Sequence, residues 1–170
     1  WYPFFEKMEK ADALVLMSHC QFEKNNYQNR FQFNGNWHTM SVARKTERII
    51  EKKYLSHEKD WERIKKSIPS INLSFFDDCI YDQLLLTNYS IIRKIARLLN
   101  IKTEIYSDYS TILTGTNRLV DICKIYGADT YLSGPSGKDY LQLEKFGDIK
   151  VEFHENKIKY PVLWMLRDLL

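Results

Sequence analysis

Glycine and proline are scarce in this chain, with only 6 Gly and 4 Pro. Long disordered linkers are therefore not expected. Cysteine is scarce too. Cys20, Cys79 and Cys123 lie far apart, are odd in number and form no CxxC. That pattern disfavours a secreted disulfide scaffold or a zinc cluster, and reduced thiols in the cytoplasm are the expectation. No apolar run approaches the ~20 residues needed to cross a bilayer, so membrane insertion is not expected. The first residues lack the charged and apolar regions of a signal peptide. A net charge of +3 is too small to argue for nucleic acid or an anionic membrane. The cations between Arg44 and Lys66 are interleaved with Glu47, Glu51, Glu58, Asp60 and Glu62, the pattern of a solvated helix face. His19, His38, His57 and His154 show no HxH or HExxH spacing. No metal and no cofactor are expected.

What is present is ordinary for a globular protein: 44% apolar and 28% charged residues. The length of 170 residues suits one domain, 1–170. No Met precedes Trp1 and no strand leads into Pro3, so a trimmed start lacking an N-terminal strand is expected. Phe4 to Lys10 reads as a short amphipathic helix. Ala13 to Met17 is a continuous apolar run suited to a central parallel strand. Phe31 and Phe33, then Trp37 to Val42, alternate around Asn34-Gly35, which predicts a β-hairpin. A helical period runs from Lys45 to Ile68, with a possible break at Ser56-His57 and a stop at Pro69. Helices are expected over Asp77 to Leu86 and Tyr89 to Asn100, then a strand over Thr103 to Ser107. Thr116 is the expected N-cap of a helix that ends at Gly127. Ala128 to Ser133 should be a strand, Tyr140 to Phe146 a helix, and Lys150 to His154 a last strand. An apolar helical tail lies within Lys159 to Leu170. This alternation predicts an α/β fold: a mostly parallel, Rossmann-like three-layer sheet flanked by helices, with an added antiparallel hairpin.

The loop Ser133-Gly134-Pro135-Ser136-Gly137-Lys138 follows a strand, so it should lie on the carboxyl edge where open α/β sheets bind ligands. Its glycines allow close backbone approach, its hydroxyls and Lys138 suit an anion, and its N–H groups can form a nest. The spacing is not that of a phosphate-binding P-loop. The competing reading is a tight turn into a helix with Lys138 solvated. A second group, His19 to Phe22 with Tyr27 to Arg30, also follows an apolar strand. Arg30 suits bidentate grip on a carboxylate or phosphate, and Gln21 and Asn29 suit a planar polar group. His19 suits a base. Cys20 becomes a nucleophile only if its pKa is lowered, and it points away from His19 on a strand. The competing reading has Asn29 and Arg30 tying down a long loop and Cys20 in the core. Asp77-Asp78 fits a helix start better than a carboxylate pair. Ser107 to Ser110 fits a loop that follows a strand's carboxyl end.

Read together, Trp1-Tyr2-Pro3-Phe4-Phe5, Ala11 to Leu16, Gln21-Phe22-Glu23-Lys24, Gln28-Asn29-Arg30-Phe31, Trp37 to Val42, Arg118-Leu119, Gly127 to Gly137 and Tyr160-Pro161 resemble the WbqC-like family of bacterial proteins. The resemblance covers nearly the whole chain. The family's usual opening strand and Gln-Pro-x-Tyr segment are not found before the tryptophan. His19 stands where an acidic residue is often found, and Val162 replaces a Gln after the closing Tyr-Pro. The family sits among genes for cell-surface polysaccharide (O-antigen) biosynthesis. The resemblance therefore implies an enzyme that transfers an acyl-type or aminoacyl-type group to a sugar, using a nucleotide-sugar or another phosphorylated or carboxylate-bearing ligand. The catalytic candidates are His19, Gln21 and Arg30. The ligand-binding candidates are Gln21, Asn29, Arg30, Ser133, Gly134, Ser136, Gly137, Lys138 and Tyr140. The alternatives are a nucleotide-binding or nucleotidyl-transferring domain, or a non-catalytic partner in a biosynthetic complex.

Overall fold

The structure, a computed structural model, describes residues 2–155, 161–167 and 169. Tyr160, half of the expected Tyr160-Pro161 pair, and Lys159 lie outside them. The fold is α/β, with two parallel strand pairs, an antiparallel hairpin and helices around them. Helix α1 (Tyr2–Glu9) buries Pro3, Phe5 and Met8 and delivers the chain to β1 (Ala13–Leu16). Strand β1 pairs in parallel with β4 (Glu104–Ser107), in a register that sets Leu16 opposite Ser107. Strands β5 (Thr130–Ser133) and β6 (Lys150–Phe153) form the second parallel pair. Among the described residues these remain two separate pairs, so β1 has one strand partner rather than two. Its apolar run reflects half-burial beside the helical core, not a central position in one wide sheet.

The hairpin forms where the turn chemistry placed it. β2 (Arg30–Phe33) and β3 (Asn36–Thr39) pair antiparallel, and Asn34 and Gly35 both take positive φ, 49° and 78°. That is the left-handed pair a tight hairpin turn demands. Helix α3 (Leu84–Leu98) is closed by Asn100 at φ 57°, with Ile101 N–H donating to the Ala96 carbonyl at 2.8 Å. Helix α4 (Gly115–Ile125) closes the same way on Gly127 at φ 62°, with Ala128 N–H donating to Cys123. Both are αL terminations that satisfy orphan carbonyls.

The main core joins α1, the hairpin, α2 (His57–Ser67), α3 and α5 (Val162–Leu166), through Phe5, Met8, Phe33, Trp61, Ile64, Ile95 and Leu166 among others. Cys79 and Cys123 are buried free thiols.

Four expected elements differ. Residues 45–55 are not helical beyond a 3-10 turn at Ile49–Glu51. Their backbone instead runs beside the end of β1: Phe22 N–H donates to Glu47, Ile49 N–H to Cys20 and Ile50 N–H to Ser18, all at 2.8–2.9 Å. The buried Lys52 ammonium holds this path by donating to the Ala43 and Lys45 carbonyls, each at 2.6 Å. Long-range hydrogen bonding here overrides a local helical period. Of the helix expected over 77–86, residues 77–79 end a 3-10 segment, Leu73–Cys79, residues 80–83 are a non-helical link, and residues 84–86 open α3. Asp77 accepts from Trp61 Nε1 and Lys65 Nζ of α2, and Tyr54 N–H donates to the Asp82 carbonyl. Thr114, not Thr116, is the N-cap of α4, because the buried Thr116 hydroxyl accepts from the Gln142 N–H at 3.2 Å. Tyr140 to Phe146 forms only a 3-10 turn, Leu143–Phe146, stopped by Gly147 at φ 57°.

Candidate functional site

The parallel register of β1 and β4 brings their carboxyl ends side by side, and the buried polar residues Ser18, Asp108 and Arg118 meet there. Asp108 follows β4, and its side chain is fully buried. One oxygen, Oδ1, accepts from Ser18 Oγ at 2.7 Å, from the His19 N–H at 3.0 Å, and lies 3.1 Å from His19 Nδ1. The other oxygen, Oδ2, accepts from the buried guanidinium of Arg118 on α4. Arg118 also donates to the Tyr109 carbonyl at 3.2 Å. Its Nε is buried without a hydrogen-bond partner among the described residues. Ser107 Oγ and Ser18 Oγ lie 2.8 Å apart. Since Ser18 donates to Asp108, Ser107 is the donor in that pair.

These contacts decide the charge. Burial alone would raise the Asp108 carboxyl, but hydrogen bonds from Ser18, His19 and Arg118 outweigh it and hold it below the usual carboxylate range. Asp108 is therefore an anion at neutral pH. An anionic acceptor beside His19 Nδ1 selects the tautomer that carries its proton on Nδ1. The lone pair then sits on Nε2, the orientation a base needs. The His19 side chain is 17% exposed, so the ring is anchored at one nitrogen yet reachable from solvent.

The Glu47–Ile50 segment completes the rim. Arg48 forms an isolated bridge with Gln21, pairs with Glu51 and reaches Ser110 at 3.5 Å. Gln21 Nε2 donates to the Glu47 carbonyl at 3.1 Å. Cys20 is half-buried; burial pushes its thiol up, against the opposing charge of Arg118. It is not an activated thiolate.

The other expected residues lie elsewhere. Asn29 Nδ2 donates to the Met40 carbonyl at 2.8 Å, tying the loop to the hairpin. Arg30 stacks over Trp37, 4.0 Å from ring centre, and donates to the Asn25 carbonyl. Asn29 and Arg30 line a cavity of about 840 Å³ whose lining does not include His19. Ser133 to Tyr140 forms a 3-10 turn, Pro135–Asp139. Ser133 is buried and donates to the Gly134 carbonyl at 3.1 Å. The Gly137 N–H donates to Gly134, and Tyr140 and Leu141 donate to Gly137. Lys138 Nζ lies 5.4 Å from the Phe153 ring centre, while Ser136 and Tyr140 are exposed. No hydrogen bond or ion pair joins this turn to His19 or Arg30 among the described residues.

Gly137 has a packing reason. A Cβ there would lie 2.0 Å from Ser133 Oγ and 3.1 Å from Leu141 Cδ1. Gly137→Ala is expected to cost about 1–3 kcal/mol, read as a lowered thermal midpoint. Gly134→Ala, with nothing within 4 Å and φ −74°, should stay within about 0.5 kcal/mol of the parent. Equal effects of the two would refute the packing account.

Sequence reasoning named His19 but not its partners Asp108, Arg118, Ser18 and Arg48 as one site. Among the described residues no group of three or more His, Cys, Asp or Glu can hold a metal, and no helix is long and apolar enough to cross a membrane.

Residues 1–165 match the model of the WbqC-like protein family. The chain belongs to that family. The His19–Asp108 cluster, the Arg30 cavity and the turn after β5 all lie within the matched span of this WbqC-like protein. Neither a curated protein nor a solved structure matches it.

Proposed function

We propose that this WbqC-like protein transfers an acyl-type or aminoacyl-type group to a hydroxyl or amino group of an activated sugar, in the building of a cell-surface polysaccharide. The observation that carries the reading is the 3.1 Å approach of His19 Nδ1 to an ionised, buried Asp108 at the carboxyl edge of β1 and β4. In open α/β folds that edge is where ligands bind. His19 Nε2 takes the proton of the acceptor hydroxyl or amine as its heteroatom attacks the acyl carbon. The same proton then passes to the leaving group, so His19 ends as it began. Asp108 holds the ring and stabilises the transient imidazolium. Arg118 keeps Asp108 anionic and in place. Arg48, exposed at the rim beside Gln21 and Ser110, is assigned the phosphate of the activated sugar. The turn after β5 uses several of its own donors and is given a structural role.

The test is a thermal-shift screen of nucleotide-sugars with acyl and aminoacyl thioesters, followed by mass analysis of the mixtures. A phosphorylated ligand that binds only the folded state must raise the midpoint, and a mass increment on the sugar identifies transfer. Stabilisation by ATP with Mg²⁺ and no sugar product would point to nucleotidyl transfer instead. If no phosphorylated ligand stabilises the protein and no product forms, the reading fails and a non-catalytic partner role replaces it.

A further inference from the structure

The cavity beside Arg30 holds a second, chemically different opportunity. Its volume, about 840 Å³, falls inside the range of roughly 300–1,000 Å³ seen for small-molecule sites. Its wall is apolar over most of its extent, built by Phe4 and Phe5 of α1, Phe31 of the hairpin, Ile91 and Ile92 of α3, and Trp164 of α5. Protein interiors are close-packed, with few voids larger than a water molecule. An apolar space of this size at the meeting of three helices and a hairpin can hold a small molecule. Asn26, Tyr27, Asn34 and Gly35, all exposed residues of the hairpin and its approach, are part of its lining.

The polar groups at the wall narrow the choice of occupant. Asn29 donates to Met40 and Asn88 Nδ2 to the Gln28 carbonyl at 2.8 Å, so both amides hold the loop. His38 is buried, with Nδ1 3.0 Å from Ser67 Oγ. Burial and the charge of Arg63, against a bond at Phe33, hold its imidazole below the usual range, so it is neutral near pH 7. Arg30 is then the one fixed charge among the described lining residues. Among the described residues its guanidinium meets the Asn25 carbonyl and the Trp37 ring but no Asp or Glu, and its Nε is buried without a hydrogen-bond partner. A guanidinium planted on Trp37, whose Nη2 donates to the Asn25 carbonyl and whose Nη1 has no hydrogen bond among the described residues, is a receptor for an oxyanion.

We propose that this cavity binds an apolar carboxylate, its hydrocarbon body among the aromatic and isoleucine side chains and its carboxylate on Arg30. The site is independent of the His19 chemistry, since no residue of the His19–Asp108 cluster lines it. The occupant belongs to the class of free carboxylic acids with a long hydrocarbon chain.

The experiment uses 8-anilinonaphthalene-1-sulfonate, an apolar monoanion, as a fluorescent probe on the intact protein, displaced by dodecanoate, dodecanol or dodecyltrimethylammonium. Dodecanoate is expected to displace the probe at least about 10-fold more tightly than the other two, the scale of one charged hydrogen bond. Arg30→Ala should erase that preference. Ile92→Trp, which puts a larger ring into the cavity, should weaken probe binding while far-ultraviolet circular dichroism keeps the parent spectrum. His19→Gln should bind the probe like the parent, which separates failure of this site from failure of the transfer reading. No probe binding by the parent, equal displacement by all three dodecyl compounds, or full binding by Ile92→Trp would each overturn the proposal.

Discussion

Asp108→Ala is expected to lower the stability of the protein by about 3–5 kcal/mol, because it leaves the buried Arg118 guanidinium without its anion. Domains of this kind are stable by roughly 5–15 kcal/mol in total. The variant should therefore melt on the order of 6–20 °C below the parent, given about 2–4 °C per kcal/mol at this size. Ser18, His19 and Ser107 would lose their common anchor at the same time. A second change separates lost charge pairing from lost packing. Asp108→Ala combined with Arg118→Met removes both charges and should recover a large part of the loss. Urea unfolding of the parent, both single variants and the pair measures this. A single-variant loss below about 1 kcal/mol would place the pair at the surface energetically, against its burial.

The same pairing sets an acid dependence. Asp108 titrates in the folded state below its unfolded value, which is about 3.9 for an aspartate. Its contribution is thus present above about pH 4 and lost as the pH falls through the folded value. Asp108→Asn should flatten the stability curve on the acid side and leave its shape near neutrality unchanged.

His19→Gln is expected to leave the fold intact and remove transfer. Glutamine can still donate to Asp108, and the Asp108 bonds from Ser18, the residue-19 N–H and Arg118 remain. Glutamine cannot accept the acceptor's proton at neutral pH. The rate constant for the chemical step should fall by roughly 10²–10⁴-fold, the usual contribution of a positioned base. Ligand stabilisation in the thermal-shift assay should remain within a degree or so of the parent's. A variant that turns over at the parent rate would remove His19 from the chemistry.

Local chemistry made some of the fold readable and long-range pairing hid the rest. Asn34-Gly35 encodes a hairpin by backbone preference alone, and Asn100 and Gly127 stop helices for the same reason. The stretch from Lys45 to Leu55 has a helical period, yet its backbone partners are Ser18, Cys20 and Phe22, which no local pattern reveals. The site divides in the same way. His19 was legible because it ends an apolar strand. Asp108 was not, because it lies 89 residues further on and meets His19 only through the register of β1 with β4. Arg118 lies on the buried side of α4, where an arginine is unexpected unless it has an anion to meet. Asn29 suited a ligand by type but holds the hairpin instead. The Ser133–Lys138 segment offered glycines that suit close ligand approach, and at Gly137 the neighbour that approaches is Ser133.

Nitrogen-15 NMR of the imidazole reads directly which ring nitrogen of His19 carries the proton. Long-range ¹H–¹⁵N correlation on the labelled protein, with His19 assigned by loss of its signals in His19→Gln, distinguishes the two ring nitrogens. In the neutral ring, Nδ1 should show the shift of a protonated nitrogen and Nε2 that of an unprotonated one, and Asp108→Asn should weaken the preference. A neutral His19 protonated on Nε2 would point its only lone pair at Asp108 and contradict the account.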